Sequence, residues 1–259
     1  MTTATATRPF PRLPTVGHRV AVIAHRGGAA VAPENTLASI RGAIALGCDY
    51  VELDVRPTRD GHLVLMHDGS VDRTTDGTGN VSDLDYGAVQ ALDAGSHFSP
   101  AYAAERVPTF EDALRLARDS IYVYIDHKDG EVEEIWATIQ QYGMGKQVVV
   151  YNGVAGCMEW KRHDADIPVM PSVPGEYRRP GGLRAFHQEL PAEVLDGGIG
   201  SWTKPMVDEA HELGVAVYVD NLGDTDNPEM FRHAIEMGVD GIQTDHPHQL
   251  IALLASMGM

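Results

Sequence analysis

Cysteine is scarce in this sequence: Cys48 and Cys157 are the only two in 259 residues, and both sit beside apolar neighbours. Two are too few for a disulfide framework or a thiolate metal cage, so buried free thiols are expected. Long apolar runs are also missing. The first run after a polar, Pro-bearing start, Val20 to Ala24, is far too short for a signal segment or a membrane span. A cytoplasmic protein with no stable membrane anchoring is expected. Cations are outnumbered, with 20 Lys and Arg against 37 Asp and Glu and a formal net charge of −17. Nucleic acids and anionic membranes recruit clustered positive charge, so neither is expected as a partner. A phosphate-bearing ligand would have to be met by a metal ion or a local Arg/Lys site.

The chain is long enough, and at 43% apolar residues rich enough, to bury a substantial core. Residues 1–18 read as a loosely attached arm and 19–259 as one domain. Short all-apolar runs recur at Val20–Ala24, Tyr50–Val55, Ile121–Ile125, Val148–Tyr151, Ile167–Met170, Val215–Val219 and Asp240–Gln243. Lacking alternation, they read as strands buried on both faces, the mark of a parallel sheet. Helical patterns lie between them. Asn35 opens one that carries Leu37, Ile40 and Ile44 and stops at Gly47, and Thr109 with Asp112 reads as a capping box. Thr203 opens a helix that stops at Gly214, and Asn227-Pro228 one that stops at Gly238. A weaker strand near Glu193–Leu195 makes eight strand-helix units, the number that closes a (β/α)8 TIM barrel; an open doubly wound sheet is the alternative. Val55 to Val107 contains no helix of usual length, so an insertion over about 56–107 follows the second strand.

Polar residues collect where these strands end. The first strand runs into His25-Arg26-Gly27-Gly28, at the barrel face where active sites are built. On the second, the period of two puts Glu52 and Asp54 on one face of an otherwise apolar strand. Two carboxylates in one buried place repel, so protonation, cationic side chains or a divalent cation must hold them, and a cation is favoured in a cavity. Asp60-Gly61 between extended segments signals a hairpin with a two-residue turn, a register whose paired residue numbers sum to 121. That register sets His67 opposite Asp54. Asp126 and Lys128 share a face at the end of a further strand. Together these residues fit a metal-assisted acid-base site.

The motifs also match a known pattern. His25-Arg26-Gly27, Pro33-Glu34-Asn35-Thr36, Glu52-Leu53-Asp54-Val55, His67-Asp68, Asp72-Arg73-Thr74-Thr75, Leu92-Asp93-Ala94-Gly95, Val107-Pro108-Thr109-Phe110-Glu111, Asp126-His127-Lys128 and Gly238-Val239-Asp240-Gly241-Ile242-Gln243-Thr244-Asp245 closely resemble the glycerophosphodiester phosphodiesterase family. The resemblance runs in order over about residues 20–250. It implies a (β/α)8 barrel with a small insertion after strand two, and metal-dependent hydrolysis of glycerophosphodiesters to glycerol 3-phosphate and an alcohol. By the same resemblance Glu52, Asp54 and Asp126 are metal ligands, His25 and His67 the acid-base pair, Arg26 and Lys128 a phosphate clamp, and Glu34 a further site residue. Oxygen-only ligands favour Mg²⁺ or Ca²⁺, with Mn²⁺ next.

The sequence departs from the family pattern at Asp126, where Glu is commoner, at Tyr218-Val219 in place of Trp-Thr, and at Tyr151-Asn152 in place of Ser-Phe. The last two changes are expected to touch the alcohol pocket. Trp202, just before a helix near the mouth, is a candidate headgroup contact. Asp245 reads as an N-cap for the last helix, with Pro247 near its first position. The competing functions are phospholipase D-like action on lysophospholipids, a non-catalytic metal- or phosphate-binding barrel, and a metal-dependent isomerase or lyase. A homodimer is expected on base rate alone.

Overall fold

The computed structural model describes residues 19–259. The expected arm, residues 1–18, lies outside the described residues. Nine strands follow: β1 (Ala21–Ala24), β2 (Tyr50–Pro57), β3 (Leu63–Leu65), β4 (Tyr122–His127), β5 (Val148–Asn152), β6 (Val169–Pro171), β7 (Val194–Gly198), β8 (Ala216–Asp220) and β9 (Gly241–Thr244). All except β3 pair in parallel, in the order β6-β5-β4-β2-β1-β9-β8-β7. A parallel bridge between Ser172 and Asp196, with Val173 N–H donating to the Asp196 carbonyl at 3.2 Å, brings the two ends of the sheet together. The result is a nearly closed barrel of eight parallel strands, and the open sheet is excluded.

The helices are α1 (Leu37–Leu46), α2 (Tyr86–Gln90), α3 (Phe110–Ala117), α4 (Val132–Gln141), α5 (Val154–His163), α6 (Gly182–Glu189), α7 (Lys204–Glu212), α8 (Pro228–Met237) and α9 (Pro247–Ser256). Only α2, five residues long, lies between β3 and α3. Start and stop signals act locally, with one displacement. Thr36, not Asn35, caps α1: its hydroxyl accepts from Ser39 N–H while Ser39 Oγ accepts from Thr36 N–H, both at 3.2 Å. Asn35, with φ +55, is turned inward instead. Thr109 Oγ1 caps α3 through Asp112 N–H at 3.0 Å, and Asn227 Oδ1 caps α8 through Glu229 and Met230 N–H. Thr203 precedes α7 without a side-chain cap.

Strand alternation sorts the apolar residues into two layers. Val22, Val51, Leu53, Val123, Val217 and Val219 face outward and pack with Ile40, Phe110, Trp160 and Phe231 of the helices. Ile23, Tyr50, Tyr124, Val149, Met170 and Tyr218 face inward and plug the barrel. In the plug, Tyr218 donates to the Tyr50 hydroxyl at 3.2 Å. Continuing each inward series toward the strand ends replaces apolar residues by Glu52, Asp54, Asp126, Asp196, Asp220 and Gln243. One end of the barrel is thus sealed and the other polar. Cys48 and Cys157 are buried free thiols, both pushed up to about 12 by burial.

The hairpin register is shifted by one from the sequence expectation. Val55 faces Leu65, Arg56 faces Val64 and Pro57 faces Leu63, so paired numbers sum to 120. The turn has three residues, because Thr58 N–H donates to the His62 carbonyl at 2.9 Å and Gly61 takes φ +83. Thr58 Oγ1 reinforces it, donating to Asp60 at 2.7 Å and accepting from His62 N–H at 3.1 Å. Met66, not His67, therefore lies against Asp54, its N–H donating to the Asp54 carbonyl at 3.0 Å. Beyond it the chain builds a separate apolar cluster of Val64, Met66, Val71, Val81, Val89, Ala94 and Val107.

Gly27 ties β1 to α1. It has φ +88, and a Cβ there would lie 2.2 Å from Ser39 Oγ and 2.4 Å from Ser39 Cβ, against the cap of α1. Gly47 has φ +78 but nothing within 4 Å of its missing Cβ. Gly47→Ala should cost about 1 kcal/mol for the left-handed backbone alone. Gly27→Ala adds an unrelieved clash and should cost about 2 kcal/mol more. Thermal unfolding of both variants checks this, and equal losses would refute the close packing at Gly27.

Candidate active site

The wall formed by β1, β2 and β4 carries the densest charge. Glu52 and Asp54 on β2 are 2% and 1% exposed, and Asp126 lies level with Asp54 on β4. One carboxylate oxygen from each of the three lies within 4.8 Å of the others. Two cations brace them. Lys128 Nζ donates to Asp126 Oδ2 at 2.5 Å and lies 3.1 Å from Asp54 Oδ1, although that second contact lacks hydrogen-bonding geometry and leaves Asp54 Oδ1 without a bonded partner. Arg26 has φ +50, a left-handed backbone rare outside glycine. That turn aims its N–H at Glu52 Oε2 (2.7 Å), its Nη1 at Glu34 Oε1 (3.0 Å), and sets its Nε 3.7 Å from Asp54 Oδ2. Asn35 completes the frame, donating to Asp54 Oδ2 at 2.6 Å while accepting from Asp54 N–H at 3.2 Å.

Burial, with the charges of Asp54 and Asp126, raises Glu52 well above the usual carboxylate range despite its bond from Arg26. Burial also raises Asp126, against the opposing pull of Lys128. The three carboxylates are thus held together at an electrostatic cost that two cations only partly offset. All-oxygen donors, within reach of one point and with a buried, unbonded Asp54 Oδ1, suit a hard divalent cation. These residues form a possible metal site.

The two histidines are oriented alike. His25 Nδ1 lies 2.7 Å from Asp245 Oδ1, and His67 Nδ1 lies 2.7 Å from Asp68 Oδ1. A carboxylate accepts the Nδ1 proton and leaves each Nε2 as the basic nitrogen. His67 sits close enough to Asp126 for its charge to draw that carboxyl down, and His25 does the same to Asp220. Both rings therefore border the acidic mouth. Arg73 binds Glu34 through two nitrogens, both at 2.8 Å, and Asp68 at 2.6 Å. The bonds from Arg73, stronger than the opposing effect of burial, hold Asp68 far below its usual range. Burial alone would raise Glu34, but the guanidinium groups of Arg73 and Arg26 outweigh it and lower its pKa.

Residues 25–249 match the model of the glycerophosphoryl diester phosphodiesterase family. The chain belongs to that family. A glycerophosphodiester phosphodiesterase from Caldanaerobacter subterraneus is 33% identical over 246 residues, covering 92% of this chain and 98% of that protein. Among solved structures, the glycerophosphodiester phosphodiesterase from Agrobacterium tumefaciens superposes with a TM-score of 0.80 at 28% identity, over 90% of this chain and 99% of the other. A phosphodiesterase from Oleispira antarctica, solved with the product sn-glycerol-3-phosphate, shares the fold with a TM-score of 0.82 at 23% identity, over 91% and 96% of the two chains.

For this member of the glycerophosphoryl diester phosphodiesterase family, the structure brings together eight of the nine residues picked from the sequence. These are His25, Arg26, Glu34, Glu52, Asp54, His67, Asp126 and Lys128. Trp202 is not among them: it is buried with the outward-facing core, beside the outer side of Gly197, and Nε1 lacks a partner there. Tyr218 does not reach the mouth either, because alternation leaves it in the plug and puts Asp220 at the inward end of β8. Asp245 is not a helix cap, since His246 precedes α9 and the Asp245 carboxylate binds His25 instead. Sequence reasoning missed Arg73, the histidine-orienting roles of Asp68 and Asp245, and Asp196 and Asp220. Period-two counting along the last strands would have found Asp196 and Asp220.

Asp68 and Glu34 have lowered folded-state values, so their stabilisation is complete above the unfolded values of about 3.9 and 4.3 and fades as pH falls through the folded ones. Arg73→Gln should therefore lower Tm at pH 7 and cost progressively less as pH falls below about 4. Half-exposure of Arg73 keeps the loss on the order of 1 kcal/mol. Melting curves from pH 7 to 3 for both proteins check this, and a gap that widens on acidification would contradict it.

Proposed function

We propose that this chain hydrolyses glycerophosphodiesters to glycerol 3-phosphate and an alcohol. The observation that carries the reading is the placing of two aspartate-oriented histidines around a mouth that also holds Arg26, Lys128 and three acidic side chains. The family and the A. tumefaciens likeness support it, as does the product bound by the O. antarctica protein. A barrel that only bound phosphate would have no need for two basic Nε2 atoms, each backed by a carboxylate.

Arg26 and Lys128 receive the non-bridging phosphoryl oxygens and neutralise charge that builds during transfer. Glu34 fixes the guanidinium of Arg26 through its 3.0 Å bond, and Arg73 in turn fixes Glu34. Glu52, Asp54 and Asp126 would hold a divalent cation, Mg²⁺ or Ca²⁺, which when bound polarises the phosphoryl group and balances the acidic mouth. Asp126 is one methylene shorter than the Glu common in the family.

One histidine removes a proton from the attacking hydroxyl at its Nε2, and the other, entering the step doubly protonated, gives its Nε2 proton to the departing alkoxide. If the glycerol 2-hydroxyl attacks first, the phosphorus–oxygen bond to the alcohol breaks as a cyclic phosphate forms. Water then opens the ring with the two histidines in exchanged roles. Asp245 and Asp68 hold the productive tautomers throughout.

The test is release of glycerol 3-phosphate from glycerophosphocholine by purified protein. His25→Ala and His67→Ala should each lower turnover about 10²–10⁴-fold with unchanged circular dichroism. A loss under tenfold in both would remove the histidines from the mechanism. EDTA should abolish turnover and Mg²⁺ or Ca²⁺ restore it. Full activity in a sample free of metal by elemental analysis would end the metal role.

A further inference from the structure

Across the barrel from the β2–β4 wall lies a second acidic wall that the proposed chemistry leaves unused. Counting round the ring, β7 stands opposite β2 and β8 opposite β4. Their inward series, Val194 then Asp196 and Ala216, Tyr218 then Asp220, end in carboxylates at the open end. Among the described residues no Lys or Arg hydrogen-bonds or ion-pairs with either, unlike Asp54 and Asp126. Asp196 is 1% exposed, yet one carboxylate oxygen is bonded only by the Ser172 hydroxyl at 3.3 Å and the other has no side-chain partner. Gln243, 5% exposed and level with Asp220, donates its amide N–H to Asp220 at 2.6 Å and leaves its own Oε1 unbonded. Burial, then the charge of Asp220, pushes Asp196 well above the usual range, and burial also raises Asp220.

When ionised, Asp196 and Asp220 offer only acceptors, as does Gln243 Oε1, and a buried acceptor without a donor costs about 1–3 kcal/mol. The missing group must therefore bring several N–H donors, no acceptor competing for them, and positive charge. A primary ammonium has three donors and no acceptor. A neutral polyol offers hydroxyls without charge, and a quaternary ammonium offers charge without N–H. The Tyr151 hydroxyl lies 3.1 Å from Ser172 Oγ, beside Asp196, and the Tyr151 ring packs on Tyr124.

We propose that Asp196 and Asp220, with Gln243, form the subsite for the departing alcohol and select a protonated primary amine on it. The inference rests on the phosphodiesterase reading: with the phosphoryl group held on the Arg26–Lys128 side, the alcohol extends across the mouth to the opposite wall.

The experiment compares kcat/KM for glycerophosphoethanolamine and for glycerophosphoglycerol, whose headgroup is neutral, in the wild-type protein and in Asp196→Asn and Asp220→Asn. The wild type should prefer the amine ester at least tenfold, chiefly through KM. Each variant should reduce the amine-to-neutral ratio at least fivefold. Equal use of both esters by the wild type would overturn the subsite and leave the phosphodiesterase reading intact. Variants that slow both esters by one factor, with the ratio unchanged, would assign the two aspartates a structural role and overturn it as well. Turnover of neither ester would overturn the phosphodiesterase reading and the subsite with it.

Discussion

The mutual repulsion of Glu52, Asp54 and Asp126 at the polar mouth is the constraint around which the rest of the site is arranged. Three carboxylates taken out of water must be neutralised or protonated, and the structure recruits Lys128 from just past β4 and Arg26 from just past β1 to counter them. Arg26 reaches its position through a left-handed backbone, a local strain of about 1–3 kcal/mol that the surrounding bonds must overcome. Gly27 follows it, packed against Ser39, so the start of α1 and the geometry of the site are fixed by the same few residues. A site of this kind is poised to accept charge rather than to sit at rest.

A second consequence is division of labour around the ring. Polar residues on β1, β2 and β4 come with compensating cations, whereas those on β7, β8 and β9 come with only a hydroxyl and an amide. The apolar plug of tyrosines, Val149 and Met170 beneath both walls keeps solvent from relieving either from below. The two walls of one small opening thus differ in how their charge is compensated.

Much of this architecture is legible in the sequence because it depends on local chemistry. All-apolar runs mark strands covered on both faces, and seven of them with one weaker strand locate the eight barrel strands to within a few residues. His25, Glu52, Asp54, Asp126 and Lys128 are readable for the same reason, since strand period and strand end together fix where they point. What escaped is non-local or depends on a single turn. The hairpin register failed by one because Gly61 builds a three-residue turn that Asp-Gly alone does not distinguish from a two-residue one. His67 nonetheless reaches the mouth, carried by the segment after the ladder rather than by strand pairing. Arg73, Asp68 and Asp245 act through partners 39, 1 and 220 residues away, and only the first and last separations lie beyond local patterning. Trp202 shows the opposite error: nearness to a strand end does not reveal whether a side chain turns into the barrel or out toward the helices.

His67, Asp68 and Arg73 all belong to the chain between β2 and α3, which keeps an apolar cluster of its own. The β3 end of that segment is tied to the barrel by the ladder to β2 and by Leu63 and Leu65 in the main core, whereas the part beyond it is linked by polar contacts such as Arg73 to Glu34, and Glu105 to Ala38 N–H at 3.1 Å. The second histidine is thus carried by a segment with an apolar cluster of its own, and local opening there would take it from the mouth while every parallel strand of the barrel stayed in place.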